Sequence, residues 1–172
     1  KKGVAAVKLE QDDNLVNVFL SMNDLDKIFI VGNNGNYNFY NLREVSATGR
    51  ATKGVKSIKL NKDEFVQTAT IVRQNLNYSG LLTITSSGKG KITKIEDFNE
   101  TSRAVKGPQV MALKDDALAV IYAIPADQNK LFISANNKAV LLEVNSIPIQ
   151  NRTPTGIRII DTRGKDTIIE IM

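Results

Sequence analysis

The sequence predicts an all-β, propeller-like fold, and three observations support this prediction. A glycine-led phrase, Lys-Gly-Val-Lys-Ser-Ile-Lys-Leu at residues 53–60, recurs in degraded form at residues 2–9, 106–113 and 155–162. Its glycines stand at positions 3, 54, 107 and 156, so the spacing is 51, 53 and 49 residues. Repeats of this length are typical of units that bury their apolar faces by stacking on one another. No segment shows the sustained i, i+3, i+4, i+7 apolar spacing of a helix, which favours four-stranded units repeated around an axis.

Each repeat divides into four short strands, and the first is the glycine-led phrase itself. The second strand follows an acidic turn, at residues 15–22, 65–72, 118–124 and 168–172. The third strand occupies residues 28–31, 81–84 and 131–134, and the fourth occupies residues 37–42, 91–95 and 140–144. Between them lie the turns Asn-Asn-Gly, Ser-Ser-Gly and Asn-Asn-Lys at residues 33–35, 86–88 and 136–138. Asn and Gly accept the positive φ that a tight hairpin requires, so each third and fourth strand should form a hairpin.

The repeats divide the chain into one partial domain. The repeats lie at about residues 1–52, 53–105 and 106–154, and a half-repeat follows at residues 155–172. If a blade takes strands three and four of one repeat and strands one and two of the next, about three four-stranded blades form. Residues 3–22 are then left over as an N-terminal strand pair without upstream partners. Propellers usually hold more blades, and the sequence does not begin with Met, so we expect it to be part of a longer protein.

The composition argues against an enzyme. The chain has no histidine, the commonest general base and metal ligand, and no cysteine for a disulfide or a thiolate zinc site. Acidic pairs at residues 12–13, 63–64 and 115–116 recur at the same turn of three repeats, as a structural role predicts. The Gly-x-x-x-x-Gly spacing at residues 49–54 lacks the following Lys-Ser/Thr of a phosphate-binding loop and precedes a strand. We therefore expect no catalytic residue, no cofactor and no metal site.

The basic residues recur at matching points of successive repeats. Lys and Arg number 23 against 18 Asp and Glu, which gives a net charge of +5 and a pI of about 9.4. If the repeats stack around an axis, equivalent cations form a band along a curved edge, and such a band suits a bent DNA duplex held through its phosphates. The candidate phosphate contacts are Arg50, Lys53, Lys56, Lys89, Lys91, Arg103, Lys106, Arg152 and Arg158.

Two other interpretations of the charge remain open. The cations could be solvated strand faces, with lysines that keep sheet edges from pairing. Alternatively, the chain could be a protein-interaction propeller that holds a partner on its face or rim and does not bind DNA. The absence of cysteine, of an apolar stretch long enough to span a membrane and of an export signal is compatible with a cytoplasmic location.

Several phrases resemble a known family. Residues 46–60 resemble the blade junctions in the C-terminal domain of the A subunit of bacterial type IIA DNA topoisomerases. Residues 102–107 and 151–158 are similar to the following junctions, and residues 85–94 resemble the hairpin of the form T-x-x-G-x-G-K-x-T. The resemblance covers essentially the whole chain. It implies a β-pinwheel, a propeller-like disc whose neighbouring blades exchange strands.

The resemblance also implies a function and a set of partners. In this family the basic perimeter bends or wraps duplex DNA and presents a segment for strand passage, while cleavage and ATP hydrolysis belong to other domains. The expected partners are double-stranded DNA, the ATPase partner subunit and the rest of the topoisomerase A subunit, in the cytoplasm at the nucleoid. The parent would be an ATP-dependent type IIA topoisomerase, and this fragment would not itself be an enzyme.

Two parents remain open, DNA gyrase and topoisomerase IV. The gyrase box, Q-R-R-G-G-K-G, precedes the first blade in gyrase, but its last two residues match the Lys-Gly pairs at residues 2–3, 53–54 and 106–107 equally well. The segment Tyr-Asn-Leu-Arg-Glu-Val-Ser at residues 40–46 slightly favours a parent like topoisomerase IV.

Overall fold

The computed structural model describes residues 3–21, 23–114, 116–135, 138–162 and 168–171. Its strands are β1 (Lys27–Gly32), β2 (Tyr37–Asn41), β3 (Val66–Val72), β4 (Tyr78–Thr85), β5 (Lys89–Thr93), β6 (Leu118–Pro125), β7 (Lys130–Ala135), β8 (Lys138–Glu143), β9 (Ile157–Arg158) and β10 (Ile168–Ile171). Single-turn 3-10 helices follow β2, β5 and β8 at Leu42–Glu44, Ile95–Asp97 and Val144–Ser146. The described part of the chain contains no α-helix, which confirms the predicted all-β class. Two predicted features, the turn residues 136–137 and the carboxylate of Asp115, lie outside the described residues.

The strands form three antiparallel sheets, which we call blades 1, 2 and 3. Blade 1 has the strand order β3-β1-β2, blade 2 has β6-β4-β5-β9 and blade 3 has β10-β7-β8. Each blade is centred on the hairpin of one repeat, and its inner strand comes from the next repeat, as the sequence predicts. In blade 1, for example, Phe29 of β1 lies opposite both Phe39 of β2 and Thr70 of β3.

The outer strand of a blade comes from two repeats further along the chain and not, as we predicted, from the next repeat. In blade 2, β9 belongs to the fourth glycine-led phrase and pairs with β5. In blade 1, the Tyr37 amide donates to the Pro108 carbonyl and the Val110 amide donates to the Gly35 carbonyl, both at 2.9 Å. These bonds place the third glycine-led phrase outside β2. Neighbouring blades therefore exchange strands, as the family resemblance implies.

The recurring glycine permits a close approach between the outer phrase and the hairpin. A Cβ atom on Gly107 would overlap the carbonyl oxygen of Tyr37, and a Cβ atom on Gly156 would overlap the carbonyl oxygen of Gly90. Gly156 also has a φ of +80°, a conformation that other residues rarely adopt. These recurring glycines, about 50 residues apart, thus mark the points at which the chain packs closely against an earlier hairpin.

The first two glycine-led phrases differ from the prediction because they form no regular strand. Residues 3–21 and 53–60 contain no strand, so the leftover N-terminal strand pair is absent from the structure. In blades 1 and 2, the glycine-led phrase pairs with the hairpin that lies two repeats earlier in the chain. The second strand of a repeat pairs with the hairpin of the repeat just before it. Apolar side chains of residues 3–21 are exposed, including Val18 at 72% and Leu20 at 83%.

Two apolar cores separate the three blades. The core between blades 1 and 2 contains Phe29, Tyr37 and Leu81, and the Phe29 and Tyr37 rings stack with centroids 4.8 Å apart. The core between blades 2 and 3 contains Leu82 and Leu131. Leu81 and Leu82 are successive residues of β4 and both are fully buried. Both faces of blade 2 are therefore covered.

The blades are arranged radially. β3 packs against β6, and β6 packs against β10, so these strands form the inner edge of the blades. The glycine-led phrases of blades 1 and 2 lie on the opposite edge of their sheets. This outer edge carries the junctions between repeats, where most of the candidate cations lie.

Candidate nucleic-acid interface

The junctions between repeats lie side by side along the outer edge. The Ala51 amide donates to the Ala6 carbonyl at 3.3 Å, and the equivalent Ala104 amide donates to the Ser57 carbonyl at 2.9 Å. Ala51 and Ala104 have positive φ angles of 57° and 63°, so both junctions turn in the same way. Each junction therefore rests on the glycine-led phrase of its own repeat.

This arrangement brings equivalent cations into line. Arg50 and Arg103 directly precede the two turning alanines, so they occupy the same point of successive junctions. The third junction makes a related contact, because the Ala112 amide donates to the Thr153 carbonyl at 3.3 Å beside Arg152. Cations about 50 residues apart in the sequence are thus placed at successive positions along one edge.

The predicted phosphate contacts differ in how much of each side chain is accessible. Arg103 and Arg152 are half-buried, and Lys91 is buried. The remaining candidates are exposed, namely Arg50, Lys53, Lys56, Lys89, Lys106 and Arg158. An exposed, flexible cation can reach a phosphate without any rearrangement of the fold.

Some of these cations already contact groups within the chain. Lys53 forms an ion pair with Glu10, and Arg158 forms one with Asp161 at 3.6 Å. Ion pairs between exposed side chains contribute little to stability, so a phosphate can replace the carboxylate at small cost. Arg103 is held more firmly, because its Nη1 donates to the Lys56 carbonyl at 2.5 Å.

Lys91 corrects the sequence-based prediction. Its side chain is 0% exposed, and its Nζ donates to the carbonyl oxygens of Asn151 at 2.6 Å and Arg152 at 2.7 Å. Burial, together with the neighbouring charge of Arg152, lowers the pKa of Lys91 to about 8. Lys91 therefore lies inside the molecule and cannot contact a phosphate in this structure. The reason is that both faces of blade 2 are covered, so a side chain within β5 is buried whichever face of the sheet it lies on.

The turn carboxylates hold hairpins in place, as their recurrence suggests. Asp116 accepts hydrogen bonds from the Ser86 hydroxyl at 2.8 Å and from the Ser87 hydroxyl and amide. Burial raises the pKa of Asp116, but the hydrogen bonds from Ser87, Thr85 and Ser86 outweigh it and bring the pKa to about 2. In the preceding repeat, hydrogen bonding from the Asn61 amide lowers the pKa of Glu64. These carboxylates link the acidic turn to neighbouring backbone and side chains.

Among the described residues, no group of three or more acidic residues is placed to hold a metal ion. None of the helices found there is long and apolar enough to cross a membrane.

Lys59 is a cation that the sequence-based set omitted. The Lys59 amide donates to the Val105 carbonyl, and the equivalent Lys8 amide donates to the Thr52 carbonyl, both at 3.0 Å. Both side chains are exposed at the same point of successive glycine-led phrases, next to the junctions. The alignment of the phrases already places lysine at both positions, so comparing repeats position by position would have found them.

The model of one protein family matches most of this chain. That family is described as the DNA gyrase C-terminal domain, beta-propeller, and it matches residues 1–21, 26–73, 81–122 and 131–172. The chain belongs to the DNA gyrase C-terminal domain family. This assignment confirms the family resemblance drawn from the junction phrases.

The curated relatives that this chain matches include A subunits of DNA gyrase. The chain is 30% identical to the A subunit of DNA gyrase from Ureaplasma parvum, over 98% of its own length and 20% of the relative's. It is 28% identical to the A subunit of DNA gyrase from Helicobacter pylori strain J99, over 95% of its own length and 20% of the relative's. The chain thus spans about one fifth of the length of these relatives.

Two solved structures share the fold of this chain. The C-terminal domain of DNA topoisomerase IV superposes with a TM-score of 0.83 at 20% identity, over 97% of this chain and 52% of that one. The C-terminal domain of DNA gyrase A superposes with a TM-score of 0.82 at 21% identity, over 98% of this chain and 57% of that one. The predicted β-pinwheel architecture is therefore confirmed.

Proposed function

We propose that this domain binds duplex DNA along its outer edge, bends it there and performs no catalysis. The observation that carries the proposal is the repeated junction geometry, which puts Arg50 and Arg103 at the same point of successive turns. Lysine and arginine contacts to phosphates supply affinity without reading bases. A curved row of such contacts favours a duplex bent to follow it.

The proposed phosphate contacts are the accessible members of the predicted set. Lys91 is left out because it is buried. Lys8 and Lys59 join the set because they are exposed at equivalent points of the same edge. The full set is Lys8, Arg50, Lys53, Lys56, Lys59, Lys89, Arg103, Lys106, Arg152 and Arg158.

We further infer that the intact protein is the A subunit of a type IIA topoisomerase, whose cleavage and ATP-dependent steps lie outside this domain. Its partners are then an ATPase subunit together with the remainder of the A chain itself, in the cytoplasm at the nucleoid. The curated relatives described above are gyrase subunits, which favours gyrase as the parent. This inference departs from the slight preference for topoisomerase IV that residues 40–46 suggested.

Salt-dependent binding tests the DNA proposal. Affinity for duplexes of increasing length, measured at two salt concentrations, should rise until the outer edge is covered and then level off. Arg50→Gln should weaken binding to every duplex about equally and reduce the slope of log K against log salt by about 0.9. Lys130→Gln is the matched control, because this exposed lysine lies at the start of β7 and not in a junction.

The competing role is that of a protein-interaction propeller. The exposed apolar side chains of residues 3–20, such as Leu15 at 61%, are the observation that favours it. That role predicts weak DNA affinity that does not grow with duplex length. A salt slope that is the same in Arg50→Gln and in the unmodified domain would reject the DNA proposal and leave this alternative.

A further inference from the structure

Lys91 lies in the interior between blades 1 and 2. It is opposite Thr83 in the β4–β5 pair, on the face of blade 2 that also presents Leu81 to the first core. Its Nζ bonds to two successive main-chain carbonyls, those of Asn151 and Arg152. These carbonyls belong to the third junction. The Lys91 side chain of blade 2 therefore fixes, through hydrogen bonds, the backbone of the segment that carries Arg152.

This position is an unfavourable one for a lysine. An apolar residue would be easier to bury, because a buried ammonium group loses its hydration. Among the described residues Lys91 forms no ion pair with a carboxylate, and the nearby charge that affects it is the like charge of Arg152. What the lysine provides is a long donor that reaches two carbonyl oxygens across the blade.

Blade 1 contains an equivalent hydrogen-bonding arrangement, made by a different side chain. Asn38 lies opposite Ile30 as Lys91 lies opposite Thr83, so the two residues are equivalent in their hairpins. The Asn38 side-chain amide donates to the carbonyl of Val105 at 3.1 Å and to that of Ser57 at 2.9 Å. Val105 belongs to the junction that carries Arg103. In both blades, a buried donor on the fourth strand of the hairpin holds the junction that carries an arginine.

Arg152 is fixed at its side chain as well as at its backbone. Its Nη1 donates to the hydroxyl of Tyr37 at 3.3 Å, and Tyr37 is a fully buried residue of blade 1. The carbonyl of Arg152 is held by blade 2, whereas its guanidinium is oriented by blade 1. Movement of the junction would therefore move the guanidinium relative to the outer edge.

We propose that Lys91 is a positioning residue that fixes the third junction, and with it Arg152, at the outer edge. The proposal rests on the proposed function insofar as Arg152 contacts phosphate. The hydrogen-bonded attachment of the junction does not depend on DNA, so the two parts can be tested separately.

The first test measures the junction without DNA. In the 172-residue chain, Lys91→Met keeps an unbranched apolar stem and removes the donor. Amide exchange should accelerate roughly tenfold at residues 150–158, including the Gln150 amide that donates to Ile92, and stay unchanged in blade 3. Ile84→Val is the matched control, because it perturbs the opposite, equally buried face of blade 2. Exchange at residues 150–158 that is the same in Lys91→Met and the unmodified chain would overturn the proposal.

The second test asks whether Lys91 acts through Arg152. Lys91→Met and Arg152→Gln should each weaken binding to duplex DNA severalfold, and the double variant should bind no more weakly than Arg152→Gln alone. An equal loss from Lys91→Met in both backgrounds would show that it acts elsewhere. If Arg152→Gln binds DNA normally, the positioning role is wrong, while the DNA-binding proposal still stands on Arg50 and the other exposed cations.

A third measurement covers the case in which Lys91→Met does not fold. The Nζ of Lys91 in the unmodified chain should show through-bond coupling to the carbonyl carbons of Asn151 and Arg152 in a nitrogen-15 NMR experiment. A Lys91 side chain without these couplings would contradict the proposal, whatever the behaviour of the variant.

Discussion

At the scale of single residues, the surroundings of a lysine decide its role more than its charge does. Lys89 and Lys91 are two residues apart on β5, yet Lys89 is exposed and Lys91 is completely buried. The sequence presents both as equivalent members of a basic hairpin. The sequence-based prediction missed the burial of Lys91. Side chains that alternate along a strand leave one set exposed only where one face of the sheet is in contact with solvent. Both faces of blade 2 are covered along β5 after its first residue, so Lys89 at the start of the strand is exposed and Lys91 is not.

The buried charge of Lys91 predicts an unusual pH dependence of stability. Its pKa is about 8 in the folded chain and 10.5 in the unfolded one, so the unfolded chain binds more protons between these values. The free energy of unfolding should therefore rise with pH in this window, by about 2 kcal/mol between pH 7.5 and 9.5. Denaturant unfolding at several pH values measures the effect. The neutral amine keeps two N–H groups, enough for its two carbonyl partners.

The comparison with Lys91→Met isolates this contribution. The variant lacks the titrating group, so its stability should be flatter over the same range. Above pH 10 an opposing effect begins, because burial raises the pKa of Tyr40 and of Tyr122. A chain whose stability falls steadily from pH 7.5 to 9.5, with Lys91→Met behaving in the same way, would contradict the prediction.

At the scale of elements, the glycine-led phrase sets how the blades are assembled. It looks like an ordinary strand in the sequence, but only β9 is one, and the third phrase forms an isolated bridge between Asn36 and Gln109. Its apolar residues still reach the core, as Val110 and Met111 show. The third and fourth strands could be predicted as hairpins because their partners are adjacent in the sequence. The second strand could be predicted as a strand from its own apolar run, although it pairs with a strand of the preceding repeat, as Thr70 does with Phe29. The partner of the phrase lies two repeats away, and no local pattern reveals it.

A single methyl group should disrupt this assembly at Gly107. In Gly107→Ala the new Cβ would collide with the Tyr37 carbonyl, so the third phrase would have to move away from β2. We expect a loss of about 1–3 kcal/mol in the free energy of unfolding, which is typical of a forced backbone shift in a packed region. Gly49→Ala is the matched control, because nothing lies within 4 Å of a Cβ at that position. Equal stability of the two variants would show that the close approach is not required.

At the scale of the whole molecule, strand exchange brings cations from separate repeats to one edge. Arg50 and Lys106 are 56 positions apart, and both lie exposed at junctions. A duplex bent along the edge would contact both of them, whereas a straight duplex would not follow a curved edge. Bending DNA costs energy that only additional contacts can repay. The change in DNA shape should therefore depend on cations in more than one repeat.

This dependence predicts a topological effect. When relaxed circular DNA is nicked and resealed with the domain bound, its linking number should shift, and the double variant Arg50→Gln, Lys106→Gln should shift it less. Lys130→Glu is the matched control, because it changes the net charge by the same amount away from the junctions. If both variants reduced the shift equally, net charge rather than its placement would be responsible.

The sequence by itself determined the all-β class, the repeat near 50 residues, the hairpins and the family, since all of these depend on local patterns or on phrases read in order. It also identified most of the exposed junction cations, because equivalent points of a repeat share equivalent surroundings. Only the tertiary structure decided which repeat supplies each outer strand, that residues 3–21 form no strand and that Lys91 faces inward. These features depend on contacts between segments far apart in the chain, where packing of whole blades outweighs the preferences of any single segment.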